Sequence, residues 1–257
     1  MGTAVKNFNK YRFLLMELVK KDIKLKYRRS YLGIFWTLLE PVLTTVVLTL
    51  VFSRILGKKD PTFPVYILTG RLLYSFFSNA TKSAMKSIRG NSGMIKKVYV
   101  PKYIYPLSSV LSNYVTFMIS MVVLFAAVLI FKVKPTFYLI YAIIPLVLLL
   151  VLALGIGLIL ATMAVFFRDL EYLWSVVLML VMYTSAIFYR SEIVGEDTQW
   201  ILNINPLYHL IVNFRNAVFG SPMNMESLTV SALISFAALF IGMVLFYKQQ
   251  DKFILNI

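Results

Sequence analysis

Few residues of this chain could carry chemistry, and their spacing argues against catalysis. One histidine is present, His209, and a lone imidazole in an amphipathic stretch reads as a packing or surface residue. The acids Glu17, Asp22, Glu40, Asp60, Asp169, Glu171, Glu192, Glu196, Asp197, Glu226 and Asp251 show no repeated spacing that would set up an acid–base pair or a metal cluster. Cysteine is absent, which excludes disulfides and thiolate metal sites. A phosphate-binding loop needs G-x-x-x-x-G-K-[ST], and Gly57-Lys58-Lys59 lacks both the partner glycine and the hydroxyl. The expectation is no catalytic residue, no metal site, and no ATP hydrolysis by the chain alone.

What remains is charge in unusual places. Glu40 and Arg71 stand inside long apolar runs, nine residues beyond Tyr31 and eight beyond Phe63. On adjacent, oppositely directed helices their depths differ by only about 5 Å, at about 1.5 Å of rise per residue. Isolated charges there are costly, so the two are expected to pair or to share a water-filled cavity. A second feature is the basic block GNSGMIKKVYVPKYIYPLSS at 90–109, too polar for lipid and too short for a domain. Its Pro101 and Pro106 fix a bend, while Tyr99 and Tyr103 offer apolar faces with polar tips to a partner. The plainer alternative is a cytoplasmic loop that is basic only because such loops are.

The elements that hold these residues are membrane helices. Sixty per cent of the 257 residues are hydrophobic, and apolar runs long enough to cross a bilayer recur throughout. The chain reads as all-α and polytopic, with six spans at about 31–56, 63–84, 104–131, 137–166, 172–189 and 228–247. Arg71 and Asn79 make the second the least apolar. Eighteen of the 26 Lys and Arg then fall on one side and seven on the other, placing both termini in the cytoplasm. The formal charge of +15 has the same explanation, which fits better than nucleic-acid binding because no solvent-exposed domain is left. No cleavable signal peptide is read at the N-terminus.

Two further segments lie in the membrane surface. Within residues 1–30, Tyr11, Leu14, Leu15, Leu18, Val19, Ile23 and Leu25 share one arc of a helix, with Lys20, Lys21, Lys24 and Arg28 opposite. That pattern describes an amphipathic interfacial helix rather than a solvated tail. Lys26, Arg28 and Arg29, where it meets the first span, could hold a lipid phosphate. The external segment 198–220 is apolar but short after Pro206, which suggests re-entrant helices and not a seventh span.

Four stretches taken in order resemble one family. YLGIFWTLLEPV at 31–42, KKVYVPKYIYPLSSV at 96–110, FFRDLEYLW at 166–174 and INPLYHLIVNFRNAVFG at 204–220 are similar to permease subunits of ABC-2 type polysaccharide, O-antigen and teichoic-acid exporters. The chain departs from the family pattern at Ser185-Ala186, often Ser-Pro there, and after Gly70, where a Pro-Trp pair is common. The resemblance implies the ABC-2 exporter fold: one domain over 31–257, working as a homodimer with two copies of a cytoplasmic ATPase subunit. It makes 91–103 and 168–172 the coupling segments, with Lys96, Lys97, Tyr99, Pro101, Lys102, Tyr103, Arg168 and Asp169 facing the ATPase. Asn205, Pro206 and Arg215 mark the external segment. No cofactor would bind this chain; ATP and Mg would sit on the partner. The implied cargo is a lipid-linked polysaccharide or teichoic-acid polymer crossing the bacterial cytoplasmic membrane. Export of another amphiphile such as a drug, peptide or lipid is the alternative, and a membrane enzyme of glycan assembly is disfavoured by the missing catalytic groups.

Overall fold

The structure is a computed structural model that describes residues 2–28, 30–56, 60–98, 100–190, 195, 197 and 199–256, with side chains from Tyr11 onward except at 54–56. Among these residues there is no strand. The helices are α1 (Gly2–Tyr27), α2 (Trp36–Leu56), α3 (Phe63–Gly90), α4 (Ser92–Ile95), α5 (Ile104–Ile130), α6 (Ile143–Phe166), α7 (Leu170–Tyr183), α8 (Gln199–Ile204), α9 (Pro206–Phe219), α10 (Met225–Gln249) and α11 (Phe253–Asn256). Turns of 3-10 helix lead into α2 at Gly33–Phe35 and into α6 at Phe137–Ala142.

Among the described residues, four helical stretches are long and apolar enough to cross a membrane: Gly33–Ser53, Ile104–Ile130, Phe137–Phe166 and Met225–Asn256. The other two expected spans differ from these. Helix α3 is long enough at 28 residues, but its polar and charged side chains, Arg71 and Asn79 among them, set it apart. Helix α7 is apolar yet only 14 residues long, about 21 Å at 1.5 Å per residue, against about 30 Å of hydrocarbon. The apolar run expected as a span at 172–189 therefore leaves helical geometry after Tyr183 and continues as turns.

Helix α3 is the axis of the bundle, packing against α5, α6, α2, α9 and α7. Its buried Leu72, Leu73, Phe76 and Phe77 meet Val110 and Phe117 of α5, Leu149 and Leu152 of α6 and Phe214 of α9 in one apolar core. Helices α6 and α10 make the most extensive pairing, because glycines let their backbones touch. A Cβ on Gly242 would stand 2.5 Å from the Gly155 carbonyl oxygen, and one on Gly155 would strike the backbone of Ala238 and Leu239. Small residues at the crossing are how helices associate where lipid supplies no hydrophobic drive. A second core joins Leu15 and Leu18 of α1 to Ile88, Ile95, Ile104, Tyr105, Phe246 and Phe253. The amphipathic helix thus rests its Leu15–Leu18 side on the bundle, while Phe13, Met16 and Leu25 stay exposed.

Candidate functional site

A cavity with mixed polar and apolar walls, Leu72, Phe76 and Phe117 among the latter, opens where α1, α2, α3 and α5 meet. Its deeper part encloses 240 Å³ and is lined by Lys26, Tyr27, Ser30, Trp36, Thr37, Glu40, Pro41, Thr44, Arg71, Ser75, Asn79, Asn113, Thr116 and Ser120, among others. An adjoining 520 Å³ cavity shares Lys26, Asn79, Asn113 and Thr116 and extends past Ser83, Ser109 and Ser112 to Asp22 on α1. Helical spacing makes the lining. Arg71, Ser75, Asn79 and Ser83 recur every four residues of α3, and Ser109, Ser112, Asn113, Thr116 and Ser120 repeat at three and four along α5. Several lining hydroxyls and amides donate to their own helix: Asn113 to Ser109 O at 2.7 Å, Thr116 to Ser112 O at 2.9 Å, Thr44 to Glu40 O at 2.7 Å. Such back-bonding satisfies each donor while leaving oxygen lone pairs toward the cavity. The surface is wettable, neutral in most places, and able to exchange hydrogen bonds with a hydroxyl-rich molecule.

One contact fixes the cavity wall. Pro41 lies inside α2 and has no N–H to give the carbonyl of Thr37, four residues back. Ser120 of α5 offers a donor there, its single hydroxyl proton shared between Thr37 O at 3.0 Å and Thr116 O of its own helix at 3.2 Å. Glu40 and Arg71 both line this cavity, but no ion pair joins them. Lys26 lines the same space, Arg28 is exposed beside it, and Arg29 lies outside the described residues.

The segments expected to couple to an ATPase are turns more than helices. Of 91–103 only Ser92–Ile95 is helical, anchored by buried Ile95, with Lys96 and Lys97 exposed in the turn that follows. Tyr99 lies outside the described residues. Pro101, Lys102 and Tyr103 are half-buried, and Lys102 turns inward to donate to Gln250 O at 2.6 Å. Arg168 and Asp169 are exposed in the turn before α7. Just past them Glu171 bridges back to α3, meeting Lys86 at 2.9 Å and Arg89 at 3.9 Å.

The segment expected to be external is two short helices tied down by polar side chains. Pro206 opens α9, and Asn205 caps it by accepting from Leu207 N at 3.0 Å. The Asn205 amide also reaches Thr184 Oγ1 and Ser185 Oγ, both at 2.9 Å. His209 is buried between Ser227 Oγ, 2.7 Å from Nδ1, and Asn203 O, 2.8 Å from Nε2, so it packs and bonds locally. Arg215 is 5% exposed and has no carboxylate within ion-pair distance among the described residues. Its guanidinium donates to Ala186 O at 2.9 Å, Tyr66 O at 3.2 Å, Ile187 O at 3.3 Å and Thr69 Oγ1 at 3.4 Å. It also stacks over the Tyr66 ring, 3.6 Å from the centroid. Ala186 takes a left-handed φ of 47° in the bend that presents these carbonyls.

The sequence of the chain matches the family described as ABC-2 type transporter over residues 14–219. The chain belongs to that family. Among its relatives, the O-antigen export system permease protein RfbA of Klebsiella pneumoniae is 26% identical over 242 residues, 93% of each chain. The RfbA protein of Myxococcus xanthus is 26% identical over 256 residues, 98% of each chain. The polysialic acid transport protein KpsM of Escherichia coli is 25% identical over 256 residues, 96% of this chain and 98% of its own.

In this ABC-2 chain, sequence reasoning missed two features of the site. The serine and asparagine stripe of α5 was visible as helical spacing within an apolar run, at Ser109, Ser112, Asn113, Thr116 and Ser120. The acceptor cage of Arg215 was not, because it is built from main-chain carbonyls that leave no mark on residue type.

Proposed function

We propose that this chain is the membrane-spanning permease subunit of an ATP-driven exporter that moves a lipid-linked polysaccharide out across the bacterial cytoplasmic membrane. The observation that carries the reading is the cavity of hydroxyls and amides running from Asp22 and Lys26 to Arg71 and Glu40, in a chain whose relatives bear names of O-antigen and polysialic acid export. A glycan presents hydroxyls, and this lining answers them with serine, threonine and asparagine.

In this reading α3 and α7 complete six crossings per protomer, both termini are cytoplasmic, and two copies enclose the path. Two ATPase subunits, holding ATP and Mg, dock on the turns bearing Lys96, Lys97, Tyr99, Pro101, Lys102 and Tyr103 and on Arg168 and Asp169. Lys26, Arg28 and Arg29, where α1 meets α2, receive the lipid phosphate at the membrane surface. A teichoic-acid polymer would meet the same groups.

The test is co-expression with a candidate ABC ATPase subunit from the same genome. The expected outcome is a complex with two copies of each subunit, ATP hydrolysis only when both are present, and cells that retain polymer inside when this gene is deleted. Vanadate-sensitive hydrolysis by the isolated chain, or normal surface polymer in the deletion strain, refutes the assignment.

A further inference from the structure

Arg71 is a cation without an acceptor. Among the described residues its guanidinium makes no hydrogen bond and no ion pair, and its one close partner is the Tyr74 ring, 5.8 Å from the centroid. Eight residues into α3, it stands about 12 Å along the helix axis from Phe63, in the deeper cavity. Arg215 packs against the same helix and has four acceptors. Leaving a charged group half-buried and unpaired is costly, and such a residue within a membrane helix points to a ligand of opposite sign.

The surroundings define that ligand. Ser75 and Asn79 follow Arg71 at four-residue steps on α3, and Thr37, Thr44, Asn113 and Thr116 line the walls. Around Arg71 the deeper cavity holds Lys26 and Glu40, while Asp22 lines the adjoining one beside Lys26, so of the two cations Arg71 is the one set apart from that second carboxylate. A planar guanidinium fork matches two oxygens of a carboxylate or a phosphate, with neutral donors for the hydroxyls around it. Glu40 limits how firmly such a group is held, and a path that must release its cargo needs binding that is weak.

We propose that Arg71 binds an acidic group on the glycan as the polymer passes, so that this exporter selects an anionic polymer over a neutral one. The inference rests on the polymer-export reading and adds the charge of the cargo.

The test places the full chain in phosphatidylcholine nanodiscs and titrates three probes of matched length: oligogalacturonate, oligo(glycerol phosphate) and a neutral malto-oligosaccharide. Binding is followed by tryptophan fluorescence, since Trp36 lines the cavity. At least one acidic probe should bind about tenfold tighter than the neutral one, the scale of one charge-assisted hydrogen bond. Comparing the two acidic probes distinguishes carboxylate from phosphodiester. Arg71→Gln should abolish the preference, while Arg71→Lys retains most of it and reports on folding. Lys134→Gln, an equal loss of charge in an exposed loop, should leave it intact. Equal binding of neutral and acidic probes, or a preference that survives Arg71→Gln, overturns the role of Arg71 and leaves the export reading standing. No binding of any probe overturns both.

Discussion

The missing side chain of Gly70 makes room for the guanidinium of Arg215: a Cβ there would stand 2.6 Å from Nη2. That guanidinium joins α9 to α3 and to the bend after α7, through the carbonyls of Tyr66, Ala186 and Ile187. The far end of a long side chain usually moves aside cheaply. Here four acceptors and the Tyr66 ring hold it.

Gly70→Ala is therefore expected to cost about 1–3 kcal/mol, the usual range for forcing atoms into a packed interior. The cost should largely vanish in an Arg215→Ala background, where nothing occupies the space. Thermal unfolding of the two single variants and the double variant in detergent measures this. Residues in contact couple, so additive losses would show that the crowding is elsewhere.

The wall between α2 and α5 allows a similar cycle. Ser120→Ala should cost about 1–3 kcal/mol, because the Thr37 carbonyl loses the donor that stands in for the absent N–H of Pro41. In a Pro41→Ala chain the backbone N–H of residue 41 can take that role, and Ser120→Ala should then be nearly neutral. If Ser120→Ala costs the same in both backgrounds, the hydroxyl is not replacing the proline's missing donor.

Much of the fold was legible because apolarity and helix length are written in residue type. The helices at Phe63–Gly90, Ile104–Ile130 and Met225–Gln249 begin within three residues of the positions read from sequence. The end of α7 was not legible. Residues 184–189 remain apolar enough to extend a span, yet Asn205, distant in sequence, bonds Thr184 and Ser185, and Ala186 turns left-handed. Hydropathy cannot register a turn imposed by tertiary partners. The depth match of Glu40 and Arg71 located a shared cavity, but depth does not set the rotation of each helix about its axis. Lys102, a surface contact by residue type, faces its own C-terminal segment at Gln250.

Glu171 yields the last prediction, since it ties the turn before α7 to the end of α3. Helix α7 hangs on α3 through Leu178 O accepting from Tyr74 Oη at 3.0 Å, Trp174 Nε1 donating to Thr81 Oγ1 at 3.1 Å, and Glu171 between Lys86 and Arg89. The end of α3 leads directly into α4 at Ser92–Ile95 and the turn after it. Lys86 is 61% exposed and Glu171 35%, and pairs of that kind are worth at most about 1 kcal/mol. Glu171→Gln should accordingly leave the melting temperature of the chain nearly unchanged. If the turns receive the ATPase stroke together, the same substitution should lower polymer export relative to ATP hydrolysis, because one turn can then move without the other. The reciprocal exchange of Lys86→Glu with Glu171→Lys should restore the ratio. Unaltered export per ATP in Glu171→Gln would mean the turns act separately, and failure of the exchange to restore it would mean the carboxylate acts on something other than Lys86.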